Sequence, residues 1–319
     1  MAEIDPIGLW VPEQLAGMRL DQALAALLPD FSRARVQGWL REGRVQVDDR
    51  PRRPRDRVRG GEWVEVRGHL PEDERWEPQA LPLTLLHEDP DLLIVDKPCG
   101  LVVHPAAGNP DRTLVNALLH HDPGLAALPR AGVVHRLDKD TSGLLVVARS
   151  PRAHRSLVDQ IKARTVRREY LAVTVGVLTS GGTVEAAIGR HPTERTRMAV
   201  VPGGRPAVTH YRVVERFRAH THLRVRLETG RTHQVRVHMA HLRHPLVGDP
   251  VYGGRPRLPA GCLPALAETL RGFRRQALHA IRLELTHPAT GARLAWESPV
   301  PEDLRRLLEA LAEDARGQR

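Results

Sequence analysis

Cysteine and long apolar runs are both scarce in this chain of 319 residues. The two cysteines, Cys99 and Cys262, are too few for a disulfide framework or a cysteine-rich metal site, so we expect a reducing, cytoplasmic setting. No stretch of eighteen apolar residues occurs, and the N-terminal segment MAEIDPIGLWVPEQLAG lacks the apolar core of a signal peptide. Neither membrane spanning nor secretion is expected.

Lysine is also rare, because only three of the 48 basic Lys and Arg residues are lysines. The formal net charge is nevertheless +10, which favours a polyanionic partner such as nucleic acid. Arginine suits such a partner, since its guanidinium binds phosphate through two donors and stacks on bases.

Residues 17–67 have the pattern of a compact α/β module. Leucines at helical spacing from Leu20 to Leu27 predict a first helix, and Ser32 is placed to cap a second that ends near Gly43. Strand patterns at 45–49 and 63–66 flank RPRRPRDRVRGG, which holds six arginines between positions 50 and 59. A basic hairpin without any partner would show the same charge pattern.

Residues 68–82, GHLPEDERWEPQALP, interrupt the periodicity with prolines and acidic residues, which predicts a linker. From 83 to 315, strand patterns alternate with turns and helices, and helix starts are predicted at Ser150 with Pro151 and at Pro301. Several strands alternate apolar and polar residues, as an antiparallel sheet with one covered face requires. The strand patterns lie at 92–96, 169–176, 208–217, 222–228 and 277–285. An α+β fold is therefore predicted.

A polar cluster interrupts two apolar runs in GVVHRLDKDTSGLLVVAR, residues 132–149. The runs 133–134 and 144–147 are short enough to be buried strands, which would make the loop between them rigid. Asp138 lies there beside an arginine and a lysine, whose positive charge favours its ionised form. Such a carboxylate suits a nucleophile or general base, and a charged surface turn closed by Gly143 is the alternative.

Several segments together resemble the RluA-type pseudouridine synthase family. They occur in the same order as in the family and span about residues 80–300: VDKPCGLVVHP, HRLDKDTSG, REYLAV, ETGRTHQVRVHMAHLRHPLVGDPVYGGR and RQALHA. The resemblance implies a mixed, mostly antiparallel sheet with flanking helices and a central RNA cleft. The front module resembles an S4 RNA-binding domain, which grips structured RNA by backbone and shape. Its arginines expected to contact RNA are Arg33, Arg35, Arg44, Arg52 and Arg53.

Pseudouridine formation breaks the N1–C1′ glycosidic bond and joins C5 to C1′ without net redox change or hydrolysis. The resemblance therefore implies an isomerase that uses no cofactor and no metal. A carboxylate must start the reaction, by attack on C1′ or C6 or by removal of a C2′ proton, and the sequence does not choose among these routes. Asp138 matches the family's essential aspartate, whereas Asp140 is interpreted as structural.

Four further positions match family site residues. Tyr170 matches a tyrosine that packs on the uracil, although tyrosines in strands are more often packing residues. Arg231 matches the basic residue that pairs with the catalytic aspartate, and Val235 matches an aliphatic residue below the base. Arg136 matches the arginine that fills the gap left by the flipped uridine, with a phosphate contact or carboxylate pairing as alternatives.

Four histidines at 233, 238, 241 and 244 superficially suggest a metal site. Their spacing is not HExxH and no suitable carboxylate or thiol accompanies them, so zinc is not expected. Hydrogen bonds to the cleft walls or contacts to RNA are the more consistent roles.

Within the family, HPLVGDPVYGGR, RQALHA and HPATG resemble members that modify the large-subunit rRNA. The resemblance thus implies a monomeric enzyme that acts on uridines in the helix 69 stem-loop of 23S ribosomal RNA, either free or in assembled subunits. Other members with the same loop modify different rRNA or tRNA uridines. From another class, a ribosome-assembly factor that mainly binds rRNA is the alternative, and the intact HRLDKDTSG segment argues against it.

Overall fold

The computed structural model describes residues 2–3, 6–28, 31, 33–70, 76–106, 108–194 and 197–317. The chain folds into two compact units, Met1–Arg75 and Trp76–Arg319. Residues 71–75 of the predicted linker and the proposed helix cap Ser32 lie outside the described residues. No helix in the described residues is long and apolar enough to cross a membrane.

The first unit is a small α/β module. A four-stranded antiparallel sheet of order β2-β5-β3-β4 and a pair β1-β6 accompany two helices. The helices bury leucine, valine and tryptophan side chains such as Leu24, Val36 and Trp39 against Val64 of the sheet. The elements are β1 Ala2–Glu3, β2 Ile7–Trp10, α1 Leu20–Leu27, α2 Arg33–Arg41, β3 Val45–Val47, β4 Arg50–Pro51, β5 Trp63–Val66 and β6 His69–Leu70. Both predicted helices and both predicted strands are confirmed.

A nine-stranded mixed sheet organises the second unit. Its order is β11-β14-β15-β10-β16-β9-β8-β7, with β17 also paired to β16, and all pairs are antiparallel except β16 with β9. The strands are β7 Leu85–Glu88, β8 Leu92–Lys97, β9 Ser142–Ala148, β10 Arg167–Val175, β11 Gly182–Glu185, β12 Ile188–Arg190, β13 Met198–Val200, β14 Val208–Arg216, β15 His220–Leu227, β16 Leu278–Thr286 and β17 Arg293–Glu297. The small hairpin β12-β13 stands apart from that sheet. The helices are α3 Leu114–His121, α4 Pro151–Lys162, α5 Gln234–His241, α6 Pro264–Gly272 and α7 Glu302–Gly317.

The central strands β8 and β9 are apolar on both faces because helices cover both sides of the sheet. Leu93 and Leu145 face a core cluster shared with α3, while Ile94 and Val146 face one shared with α4. The Ser150 hydroxyl accepts a hydrogen bond from the Ala153 amide at 3.1 Å and caps α4, as predicted. The predicted α+β architecture is confirmed.

One predicted strand is not formed. Residues 133–134 do not form a strand, because Val133 makes only an isolated antiparallel bridge to Val147. The chain reaches it from a short 3₁₀ segment, Pro129–Gly132, in which Arg130 and Ala131 have left-handed φ values of 54° and 50°. The loop that follows is therefore fixed by a tight turn on one side and by β9 on the other.

Candidate active site

A cavity of about 900 Å³ opens in the second unit where the loop before β9 meets β10, β15, β16 and α5. Its walls carry four of the predicted site residues as well as Asp138: Arg136, Tyr170, Arg231 and Val235. These residues come from three separate regions of the chain, and the fold brings them to one place.

The loop 132–143 that carries Asp138 is pressed closely against neighbouring backbone at both ends. A Cβ at Gly132 would lie 2.0 Å from the Ala148 carbonyl oxygen, and one at Gly143 would lie 2.3 Å from the Ala280 carbonyl oxygen. Both glycines also have positive φ, 77° and 109°, which other residues rarely adopt. Glycine is therefore required at each end of the loop by conformation and by space.

We expect Gly143→Ala to lower the free energy of unfolding by about 3–5 kcal/mol, because the methyl group adds a backbone collision to the strained φ. Gly291→Ala is the matched control, since its φ is 71° and no atom lies within 4 Å of an added Cβ. That control should lose only about 1–2 kcal/mol. Urea unfolding of both variants measures the difference, and equal losses would show that the close approach to Ala280 is unimportant.

Lys97, which was not among the predicted site residues, binds the backbone of this loop through its side chain. Its side chain is fully buried, and Nζ donates to the carbonyl oxygens of Pro98, Leu101 and Lys139 at 2.8, 2.9 and 2.9 Å. Burial lowers the pKa of Lys97 to about 8. Three acceptors satisfy all three ammonium protons, so Lys97 ties β8 to the loop beside Asp138. A lysine that ends the apolar run LLIVD is the sequence signal for this role.

A turn, and not an extended segment, follows Asp138. The Thr141 amide donates to the Asp138 carbonyl oxygen at 3.1 Å, and Gln276 Nε2 donates to Thr141 Oγ1 at 3.0 Å. Asp140 does not line the cavity.

Asp138 forms an ion pair with Arg236. Arg236 Nη1 donates to Asp138 Oδ2 at 3.1 Å, while Nε and Nη2 donate to the two carboxylate oxygens of Asp249 at 2.7 and 2.9 Å. Only 5% of the Arg236 side chain and none of that of Asp249 is exposed, whereas 18% of that of Asp138 is. Asp138 is thus the member of this triad that a substrate can reach.

The triad is further fixed by its surroundings. Asp249 Oδ1 also accepts the amides of Val251 and Tyr252 at 2.9 and 3.0 Å. The Arg236 guanidinium lies 5.1 Å from the Tyr252 ring centroid, within cation–π distance. Burial alone would lower the pKa of Arg236, but hydrogen bonds and charge from Asp249, together with Asp138, raise it above its ordinary value.

This geometry corrects the predicted pairing of Arg231 with Asp138. Arg231 Nε donates instead to the Pro206 carbonyl oxygen at 3.1 Å, and the side chain lies at the cavity wall. The reason is the start of α5 at Gln234: Arg231 precedes the helix, whereas Arg236 projects inward from its first turns. The signal for Arg236 is an arginine between Val235 and Val237, where an ionised side chain must find a partner.

Tyr170 and Val235 line the cavity from two different elements, a strand and a helix. Tyr170 lies on β10 with 6% of its surface exposed, and Val235 lies on α5 with 3% exposed. The pKa of Tyr170 is raised above its ordinary value, mainly by burial. The charge of Arg168 opposes this shift, and that of Asp138 adds to it. Both residues therefore present largely buried surfaces to whatever fills the cavity, whereas Arg136 is exposed at its wall.

Three of the histidines in and around α5 form hydrogen bonds through their ring nitrogens. His233 Nδ1 lies 2.9 Å from the Tyr252 hydroxyl, and its Nε2 is 4.0 Å from Asp138. His238 bonds Thr209 and the Ala186 carbonyl oxygen, and His244 Nδ1 bonds the Val175 carbonyl oxygen. Of these three histidines only His233 lines the cavity, whereas His238 and His244 bond residues that do not line it.

The predicted RNA-contacting arginines of the first unit fall into three groups. Arg52 Nη2 donates to Glu62 at 2.9 Å, and Arg44 Nε lies 3.6 Å from Glu42. Arg53 is exposed. Arg33 and Arg35 belong to α2, but their side chains lie outside the described residues.

Known proteins similar to this chain share both units. The RNA pseudouridylate synthase family model matches residues 91–241, and the S4 domain model matches residues 18–64. Ribosomal large subunit pseudouridine synthase D of Xanthomonas campestris pv. campestris is 59% identical over 305 residues, covering 96% of this chain and 92% of that protein. The protein of the same name from Escherichia coli K12 is 54% identical over 315 residues, covering 98% and 97%.

Two solved structures are also similar to most of this chain. Human RNA Pseudouridylate Synthase Domain Containing 4 has a TM-score of 0.57 and 27% identity, with coverage of 72% of this chain and 92% of that one. Human RNA Pseudouridylate Synthase Domain Containing 1 has a TM-score of 0.54 and 27% identity, with coverage of 70% and 85%.

Proposed function

The chain belongs to the RNA pseudouridylate synthase family, and from this premise we propose that it converts uridines of the large-subunit ribosomal RNA into pseudouridine. The observation that carries this proposal is the carboxylate of Asp138, which is partly exposed and is held by buried Arg236 at a cavity lined by Tyr170. The relatives named ribosomal large subunit pseudouridine synthase D support the choice of rRNA, because they match almost the whole chain.

In the proposed reaction Asp138 is the group that acts on the flipped nucleotide. Arg236 keeps the carboxylate oriented, since its other donors are fixed by Asp249. Tyr170 and Val235 would bound the uracil, and the largely buried walls would exclude water while the base is detached. Exposed Arg136 would occupy the place that the uridine leaves in the RNA stack. Arg231 would contact RNA at the cavity wall and not the carboxylate.

We further propose that the target uridines lie in the helix 69 stem-loop of 23S rRNA. The S4 module at 17–67 would hold the surrounding RNA through its arginines, with 68–82 as the linker and 83–315 as the catalytic part. A monomeric, cytoplasmic enzyme fits this role, acting on free rRNA or on assembled subunits.

Pseudouridine mapping across the rRNA of a deletion strain tests the proposed target. We expect modification to disappear at uridines of helix 69 and to return when the intact gene is restored. Loss elsewhere in rRNA or in tRNA would assign a different target within the same activity.

An assay with RNA that carries 5-tritiated uridine tests the activity itself, because forming the C5–C1′ bond releases the C5 hydrogen. The purified protein should release tritium in a single turnover. A protein that shifts this RNA in a gel but releases no tritium would be a binding or assembly factor.

A further inference from the structure

Arg168 is a buried cation in the cavity wall that takes no part in the ion pairs described above. Only 7% of the residue is exposed, and its Nε is buried without a hydrogen-bond partner. Among the described residues, no hydrogen bond or ion pair to its guanidinium is found. A buried charge without a partner is costly, so such a group usually serves a ligand.

Two similarly buried arginines of the same unit show the usual arrangement. Arg236 is paired with Asp138 and Asp249, and Arg275 donates to both carboxylate oxygens of Asp303 at 2.6 and 2.9 Å. Arg168 differs from both because the described part of the protein supplies no carboxylate for it. Its counter-charge must come from a molecule that enters the cavity.

The position of Arg168 on β10 indicates which part of a nucleotide it meets. Residues two apart in a strand point to the same face, so Arg168 and Tyr170 both face the cavity, with Cα atoms roughly 6.6 Å apart. Arg168 is the nearer of the two to the start of β10, and exposed Arg164, which precedes that strand, lines the same cavity. A base that rests on Tyr170 would therefore place its ribose and phosphate towards Arg168.

Gly230 leaves room for this guanidinium. A Cβ at Gly230 would lie 2.8 Å from Arg168 Nη1, so any side chain there would displace the arginine. Gly230 itself is exposed at the cavity wall, which keeps the approach to Arg168 open.

His135 lines the same cavity and also has a ring nitrogen without a partner. Its Nε2 accepts the Val146 amide at 3.2 Å, and burial, with a smaller effect of Arg168, lowers its pKa to about 3. The ring is therefore neutral near pH 7, and its proton is on Nδ1, which is buried without a partner. A cation and a neutral N–H donor together suit an anionic oxygen.

We propose that Arg168 binds a phosphate of the target uridine after the nucleotide has turned into the cavity. This inference rests on the proposed function and deepens it. Arg168 is then a positioning residue: it holds the nucleotide so that the uracil rests on Tyr170 and C1′ lies near Asp138.

The test compares Arg168→Gln with Arg167→Gln, its exposed neighbour on the opposite face of β10. Each enzyme is assayed with three RNAs: the unmodified RNA, and two RNAs in which one or the other phosphate flanking the target uridine is replaced by a neutral methylphosphonate. We expect Arg168→Gln to slow single-turnover pseudouridine formation by about 10- to 100-fold. The equilibrium Kd for unmodified RNA should change by less than about threefold, because the contact forms only after flipping.

The decisive result is non-additivity. One of the two methylphosphonates should slow the wild-type enzyme about as much as the substitution does, and should slow Arg168→Gln no further. The same methylphosphonate should slow Arg167→Gln as much as it slows the wild type. On unmodified RNA, Arg168→Lys should be faster than Arg168→Gln. Thermal stability of Arg168→Gln should equal or exceed that of the wild type, because an unpaired buried charge has been removed.

Two results would overturn the inference while leaving the proposed function intact. One is that the substitution and both methylphosphonates slow the reaction independently, so that their factors multiply. The other is that Arg168→Gln and Arg168→Met both unfold at markedly lower temperature, which indicates a purely structural arginine. If the wild-type enzyme makes no pseudouridine in the unmodified RNA, the proposed function fails and this inference fails with it.

Discussion

Asp138→Asn should abolish pseudouridine formation, with a loss of at least about 10⁴-fold in single-turnover rate, while RNA affinity and folding are retained. The amide has almost the same shape as the carboxylate and can still accept a hydrogen bond from Arg236, but it is neither a nucleophile nor a base. Arg236 keeps its two bonds to Asp249, so no buried charge is left unpaired. Tritium release and gel-shift affinity for the same RNA measure the two effects separately.

Asp140→Asn is the matched control, since Asp140 lies in the same loop two residues later and does not line the cavity. Its turnover should stay within a few-fold of the wild-type value. Near-normal turnover in Asp138→Asn, or an equal loss in both variants, would remove Asp138 from the chemistry.

Arg236→Met should cost both stability and activity. The substitution keeps the length and apolar contacts of the side chain but leaves two carboxylates, Asp138 and Asp249, without their cation. Removing one partner of a buried ion pair costs about 3–5 kcal/mol, and here the fully buried Asp249 bears most of that cost. Denaturant unfolding and single-turnover assays should both show a large loss.

Two further variants sharpen this result. Adding Asp249→Asn to Arg236→Met should recover part of the stability, because it neutralises the stranded carboxylate. Arg231→Met should change the free energy of unfolding by less than about 0.5 kcal/mol, since its Nε contacts only a carbonyl oxygen at the cavity wall. A larger stability loss for Arg231→Met than for Arg236→Met would restore the pairing expected from the sequence.

Local patterns were sufficient for the fold class and for part of the elements, but helices α3, α5 and α6 and several short strands were not predicted. Helices α1, α4 and α7 begin at or next to predicted positions because capping residues and apolar spacing act within a few residues. The buried strands β8 and β9 were visible as short apolar runs for the same reason. The strand predicted at 133–134 was wrong, because the left-handed turn at Arg130 and Ala131 leaves only a single bridge there.

The sequence by itself determined that Asp138 lies in a polar loop between apolar runs and that an α+β unit follows a basic α/β module, and its net charge favoured a polyanionic partner. Only the tertiary structure decided which groups meet that loop. Arg236 and Asp138 are 98 positions apart, and Lys97 reaches the loop across 42, so no local spacing specifies these contacts. Helix α5 turns Arg236 inward and leaves Arg231 at the cavity wall, and β10 buries Arg168 without a carboxylate among the described residues. Pairing of buried charges depends on three-dimensional proximity, which is why the family resemblance pointed to Asp138 as the candidate carboxylate but the sequence did not identify Arg236 as its cation.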